Sequence, residues 1–223
     1  MTRITIALVS FCALSLAPAL GGSEPASAAG RLHGDTFVVD PGHGTRFPDG
    51  RPLNVGAVGS SGVEENKVTL AVGEDLAALL RAAGATVVLT RSYTKPYRTA
   101  TDKRLDNRSR AALANRLHAT AFVAVHADSS LSRAARGTSV FWLRPNSVRL
   151  ANAVRAHLAP LGLGEAAFHA RDLAVTNEAR VPAILVELGF VSNPVQERLL
   201  AVRAFQQRQA QALFDAIADT FAR

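Results

Sequence analysis

Short apolar runs that alternate with amphipathic stretches constrain this chain most. Thr36-Phe37-Val38-Val39, Thr86-Val87-Val88-Leu89-Thr90, Ala121-Phe122-Val123-Ala124-Val125 and Ala183-Ile184-Leu185-Val186 are too short for helices and rich in β-branched residues. A further run covers Ser139-Val140-Phe141-Trp142-Leu143. Their apolar residues are continuous rather than alternate, so these strands must be covered on both faces. Between them lie helical patterns. The first opens at Glu64 or Glu65, carries Val68, Leu70, Ala71, Leu76, Leu79 and Leu80 on a broad face to Ala83, and has Gly84 as its stop. Others cover Leu105 to Leu117, Ser147 to Leu158, Val195 to Leu200 and Ala204 to Phe221. Thr45 to Gly62, rich in Gly, Pro and Ser, reads as a surface loop, and Tyr93 to Asp102 as a polar one. The alternation predicts a single-domain α/β sandwich: a twisted, mostly parallel sheet with helices on both faces.

The first 28 residues stand apart from this pattern. Arg3, a mostly apolar stretch from Ile4 to Leu20 and the small residues Ala26-Ser27-Ala28 have the order of an export signal. Residues 1–28 are therefore predicted to be a signal peptide, 29–35 a short N-terminal segment and 36–223 the folded domain, with no transmembrane segment in the mature chain. The predicted location is the periplasm or the extracellular cell wall. The chain's one cysteine is Cys12, inside that signal. The mature chain is thus expected to have no disulfide, thiolate metal site or cysteine nucleophile. The formal net charge of +7 survives removal of the signal, because Arg3 and Glu24 cancel. An exported basic protein is drawn to anionic polymers. No RNP-like, zinc-finger or helix-turn-helix signature points to nucleic acid.

Three strands lead into residues able to bind a metal or move a proton. The first runs into Asp40-Pro41-Gly42-His43-Gly44, the third into His126-Ala127-Asp128 and the last into Glu187-Leu188-Gly189. Sites in open α/β sheets gather at the carboxyl ends of strands, where distant parts of the sequence converge. Glu65 lies at the start of the helix after the first loop. Two histidines and one carboxylate form a catalytic zinc set with an open position for water, and the remaining carboxylate can serve as general base. Glu187 follows four apolar residues, and burying a carboxylate without a partner is costly. The chain has no Gly-x-Ser-x-Gly elbow for a serine hydrolase. His33, His118, His157 and His169 read as surface or packing residues. Arg171-Asp172 could meet an anionic substrate, but a structural ion pair is the expectation.

Four ordered motifs together carry a resemblance. They are Asp40-Pro41-Gly42-His43-Gly44, Glu65 before Val68-Thr69-Leu70-Ala71, Val125-His126-Ala127-Asp128, and Leu185-Val186-Glu187-Leu188-Gly189-Phe190-Val191-Ser192-Asn193. From about Phe37 to its C-terminus the chain resembles the zinc-dependent N-acetylmuramoyl-L-alanine amidases of the amidase 3 family. The resemblance implies hydrolysis of the amide between N-acetylmuramic acid and L-alanine in peptidoglycan. It also implies one zinc ion held by His43, Glu65 and His126, with Glu187 as the catalytic carboxylate. Two positions depart from the family. Asn66 stands where the family often has Lys after the ligand Glu, which makes Glu64 a rival ligand; the distance to Leu70-Ala71 favours Glu65. Asp128 stands where the family often has Asn, and a loop role is expected of it. The connection from Ser129 to Arg136 leaves little room for a plug, so no obligatory activator is expected, and the chain is taken as a monomer. Hydrolysis of a different wall amide and non-enzymatic wall binding are the competing readings.

Overall fold

The computed structural model describes residues 30–46, 49, 51–92 and 103–222. The expected signal peptide, Cys12 and the polar stretch Tyr93–Asp102 lie outside the described residues. The principal strands are β1 (Thr36–Pro41), β4 (Thr86–Leu89), β5 (Ala121–Asp128), β6 (Thr138–Trp142), β7 (Glu165–Ala170) and β8 (Ala183–Phe190), in the sheet order β4-β1-β5-β8-β6-β7. Between the first two lie the short strands β2 (Thr45–Arg46) and β3 (Pro52–Asn54), which form a hairpin of their own. Four of the sheet's five pairings are parallel, and β6 runs antiparallel to β8.

The helices are α1 (Glu65–Ala82), α2 (Lys103–Arg116), α3 (Val148–Leu158), α4 (Ala174–Glu178), α5 (Pro194–Leu200) and α6 (Arg203–Phe221). Continuous apolar strands bury both faces because successive side chains point in opposite directions. Phe37 and Val39 of β1 join Val72, Leu76 and Leu80 of α1, and α3 and α6 complete that layer. Val38 faces the other way, with Phe122, Ala111 and Ala114 of α2 and Val175 of α4. The predicted sandwich is therefore the observed one.

Three local expectations differ. Thr45 to Gly62 contains the β2–β3 hairpin instead of being loop throughout. Strand β7 and the one-turn-and-a-half helix α4 were absent from the sequence reading. Finally, β5 extends to Asp128 and β8 to Phe190, so His126 and Glu187 sit within their strands rather than just past them. His126 and Glu187 are register partners in the β5–β8 pair. Two devices hold the loop before α1. The Glu197 carboxylate of α5 accepts from the Ser61 N–H and Ser61 Oγ, both at 2.7 Å. The Ala57 and Glu65 backbones are tied by Glu65 N–H donating to Ala57 O at 2.9 Å. Gly84, at φ +93°, ends α1 in a conformation that side-chain-bearing residues rarely adopt. No helix of the described residues is long and apolar enough to cross a membrane.

Candidate metal centre and active site

The site begins with the turn after β1. His43 takes φ +61°, a left-handed conformation that a residue other than glycine adopts only when held. The holding group is Arg110 of α2, which is fully buried. Its guanidinium donates to His43 O at 3.0 Å, to Thr45 Oγ1 at 2.9 Å, to Asp40 Oδ1 at 2.8 Å and to Asp106 Oδ1 at 3.0 Å. Burial alone would raise the Asp40 carboxyl; the charge of Arg110 and the hydrogen bonds from Thr90 and Arg110 outweigh it and leave Asp40 below its usual range. Arg91 grips the same turn from another side, donating to Pro41 O at 2.9 Å and Gly42 O at 2.8 Å. Gly42 itself cannot carry a side chain, because a Cβ there would lie 2.4 Å from the His126 ring.

His43, Glu65 and His126 converge. Glu65 Oε1 lies 2.9 Å from His43 Nε2 and 3.1 Å from His126 Nδ1, and the two ring nitrogens are 3.1 Å apart. Each residue thus offers one lone-pair atom to a common point. Two imidazole nitrogens and a carboxylate oxygen form a donor set that suits zinc. The remaining atoms are already engaged. Glu65 Oε2 accepts from the Ala57 N–H at 2.9 Å, and Glu65 Oε1 also accepts from the Ala127 N–H at 3.1 Å. Gly56 allows this approach, since a Cβ there would lie 2.6 Å from Glu65 Oε2. His43 Nδ1 lies 3.0 Å from Asn54 Oδ1. A side-chain amide oxygen can only accept, so the proton belongs on Nδ1 and the lone pair on Nε2, facing the cluster.

The neighbouring Glu64 does not join the cluster. It pairs with Lys67 at 2.8 Å, toward solvent. Burial would raise the Glu65 carboxyl, but the hydrogen bonds and charge of His126 and His43 hold it far below the usual carboxylate range.

Glu187 stands beside this trio with the opposite electrostatics. Its Oε2 is shut off from solvent and has no hydrogen-bond partner among the described residues. Burial pushes its proton affinity well above that of an ordinary carboxylate. The charges of Asp128 and Glu65 add to the rise, and Arg171 opposes it. Across the β6–β8 pair, Ser139 stands directly opposite, and its buried Oγ also has no partner. Asp128 is tied to the loop after β5, its Oδ1 accepting the Ser129 N–H at 2.7 Å. Two residues that shape the site, Asn54 and Arg110, escaped the sequence reading. The signal for Asn54 was a chemical requirement: a metal-binding histidine needs an acceptor for its second nitrogen. Arg110 left no local sign.

The other histidines lie elsewhere. His157 pairs with Asp219 at 2.8 Å, and His169 stands edge-on to Phe141. Arg171 and Asp172 do not pair with each other. Asp172 accepts from Asn177 at 2.8 Å, while the Arg171 guanidinium lies 5.1 Å from the centre of the Phe141 ring.

Known proteins place this geometry in a family. The model of the N-acetylmuramoyl-L-alanine amidase family matches residues 37–219. A probable cell wall amidase, LytH, of Staphylococcus saprophyticus is 30% identical over 187 residues, 83% of this chain and 58% of the relative. LytH of Staphylococcus aureus is 30% identical over 189 residues, with the same shares. The chain thus spans less than two thirds of the curated relatives it matches. Among solved structures, the catalytic domain of CwlV, the N-acetylmuramoyl-L-alanine amidase of Bacillus (Paenibacillus) polymyxa var. colistinus, is 32% identical. It superposes with a TM-score of 0.72, covering 83% of this chain and 97% of that one. The amidase AmiC2 of Nostoc punctiforme is 28% identical with a TM-score of 0.72, covering 86% and 97%. By the extent of the family match and by these relatives, the chain belongs to the amidase 3 family of N-acetylmuramoyl-L-alanine amidases.

Proposed function

We propose that this chain is an exported, zinc-dependent hydrolase that cleaves the amide between N-acetylmuramic acid and L-alanine in peptidoglycan. One observation carries the reading: three metal-donor atoms converge within 3.1 Å beside Glu187, whose buried Oε2 has no hydrogen-bond partner among the described residues. His43, Glu65 and His126 hold one zinc ion. Zinc bound there lowers the pKa of water toward neutrality, to roughly 7 in favourable sites, and polarises an amide carbonyl. Asn54 fixes the tautomer of His43, and the Ala57 and Ala127 N–H groups fix the carboxylate of Glu65.

Glu187 moves the proton. It accepts one from the attacking water as the new bond forms to the lactyl carbonyl carbon. It then delivers that proton to the alanine nitrogen as the C–N bond breaks. The products are a free lactyl carboxyl group and a free amino terminus. A proton affinity above that of ordinary carboxylates suits a group that must both take and return a proton near neutral pH. The cell-wall naming of the staphylococcal relatives and the predicted export signal both support action outside the cytoplasm.

Digestion of purified peptidoglycan, with and without a chelator, followed by mass analysis tests this directly. Glycan strands bearing free lactyl groups, beside intact stem peptides that begin at L-alanine, are expected only with metal present. Metal-dependent cleavage at a peptide cross-link would replace the proposed bond with another. Equal cleavage in the presence of chelator would refute the metal requirement.

A further inference from the structure

At the level of Glu187 the sheet carries a different partner on each flank. His126 of β5 is its register partner on one side, and Ser139 of β6 on the other, with Ala167 of β7 beyond Ser139. The metal-donor trio therefore lies toward β5, and the β6–β7 edge forms the opposite flank. On the same face as Ser139 stands Phe141, whose register partner is His169. Phe141 carries two groups against its ring, His169 at 5.1 Å between ring centres and the Arg171 guanidinium at 5.1 Å.

Arg171 has an exposed side chain on a fixed backbone. Its N–H donates to Trp142 O at 2.6 Å, and its carbonyl accepts from Thr176 Oγ1 at 2.9 Å and from the Leu173 N–H at 3.1 Å. The adjacent carboxylate, Asp172, is turned to Asn177. Arg171 makes no ion pair with any described residue, and the ring it rests on, Phe141, lies two residues along β6 from Ser139, the register partner of Glu187. A guanidinium steadied on an aromatic ring of the strand that flanks Glu187, and without a carboxylate partner among the described residues, is prepared for an incoming anion.

The chemistry says which anion. Glu187 returns its proton to the leaving alanine nitrogen, so the peptide half of the substrate departs on the Glu187 side, away from the trio. That half carries the substrate's carboxylates. We propose that Arg171, laid over Phe141 at the β6–β7 edge, anchors a carboxylate of the stem peptide and makes the enzyme prefer stems whose second residue is a free acid over the carboxamide. The proposal rests on the amidase reading above.

Two soluble substrates test it: N-acetylmuramoyl peptides identical except for a free α-carboxylate or a carboxamide on the residue after L-alanine. The intact protein should favour the free acid in kcat/KM by roughly ten- to a hundredfold, the worth of hydrogen bonds to a charged group. Arg171→Gln should bring the two substrates to within about twofold, through the KM of the free acid. Arg171→Lys should restore part of the preference, because it keeps the charge and loses the fork. A preference retained in Arg171→Gln would overturn the proposal. So would an equal fall in kcat on both substrates, which would mark Arg171 as a tuner of Glu187. Titration calorimetry of both peptides against both proteins separates this from failure of the amidase reading. If neither peptide is cleaved but Arg171 still discriminates in binding, the anchor stands and the amidase reading falls. If binding does not discriminate, the anchor falls.

Discussion

Asn54 decides which nitrogen of His43 carries the proton, and so whether His43 presents a lone pair to the cluster. Asn54→Ala removes that control while leaving the three donors in place. Metal affinity should fall by roughly 10- to 100-fold, as is typical when the partner of a ligand histidine is lost. Competition against a chelator of known affinity measures this, and unchanged affinity would show that the tautomer is set elsewhere. Glu187 makes a prediction of opposite sign, on stability. Its carboxyl has a higher proton affinity folded than unfolded, from burial first and then the charges of Asp128 and Glu65. The folded state therefore binds the extra proton. The group's contribution is fully present below the ordinary carboxyl range and is lost as pH rises through the raised value. Asp40, held below its usual range, acts the other way: its contribution is present above the ordinary range and lost as pH falls. Metal-free Glu187→Gln should thus be more stable than the parent at neutral pH, by on the order of 1–3 kcal/mol. The gap should close toward pH 4, and denaturant melts at both pH values read it. A gap that widened on acidification would contradict the sign. Both roles differ in how far the sequence discloses them. A carboxylate after Ala183-Ile184-Leu185-Val186 announces itself, whereas one Asn in a Gly-rich segment looks like any other loop residue.

The turn after β1 is clamped from a second element. Arg110 of α2 joins Asp40, Asp106, Thr45 and the carbonyl of His43 in one buried set of bonds. Arg110→Met would leave two buried carboxylates without their cation. The cost should be about 3–5 kcal/mol, the usual range when one partner of a buried pair is removed. Metal affinity should drop as well, because His43 loses the contact that holds its left-handed backbone. Thermal melts and metal titration of one preparation test both parts. A variant as stable as the parent would show that the clamp contributes nothing net. Elements were legible where a continuous apolar run met strong punctuation, as in β1, β5 and β8. Strand β7 was not, because Glu165-Ala166-Ala167-Phe168-His169-Ala170 lacks β-branched residues and gains its conformation by pairing with β6. Helix α4 is five residues long, too short for a helical period to be visible. The β2–β3 hairpin was hidden for a similar reason, with strands of two and three residues.

At the scale of the whole molecule, the sheet order brings residues 43, 65, 126 and 187 to one end of a single sandwich. Strand alternation implied that convergence for His43, His126 and Glu187, which follow or lie near the ends of buried runs, whereas Glu65 enters from the start of α1. The antiparallel β6, which puts the β6–β7 edge beside Glu187, needed the structure. Strands β5 and β6 are joined by nine residues, 129–137, and an intervening plug has no room there. The purified mature chain should therefore digest peptidoglycan without a partner protein. A chain that binds zinc but stays inert until another protein is added would contradict this. The central claim is that a zinc centre and Glu187 together hydrolyse the muramoyl–alanine amide. It is tested most directly by comparing Glu187→Gln with the parent for zinc content and for release of stem peptides from peptidoglycan. One zinc per chain in both proteins, with release almost abolished in Glu187→Gln, is the expected result. Near-parental release by a zinc-loaded Glu187→Gln would contradict it.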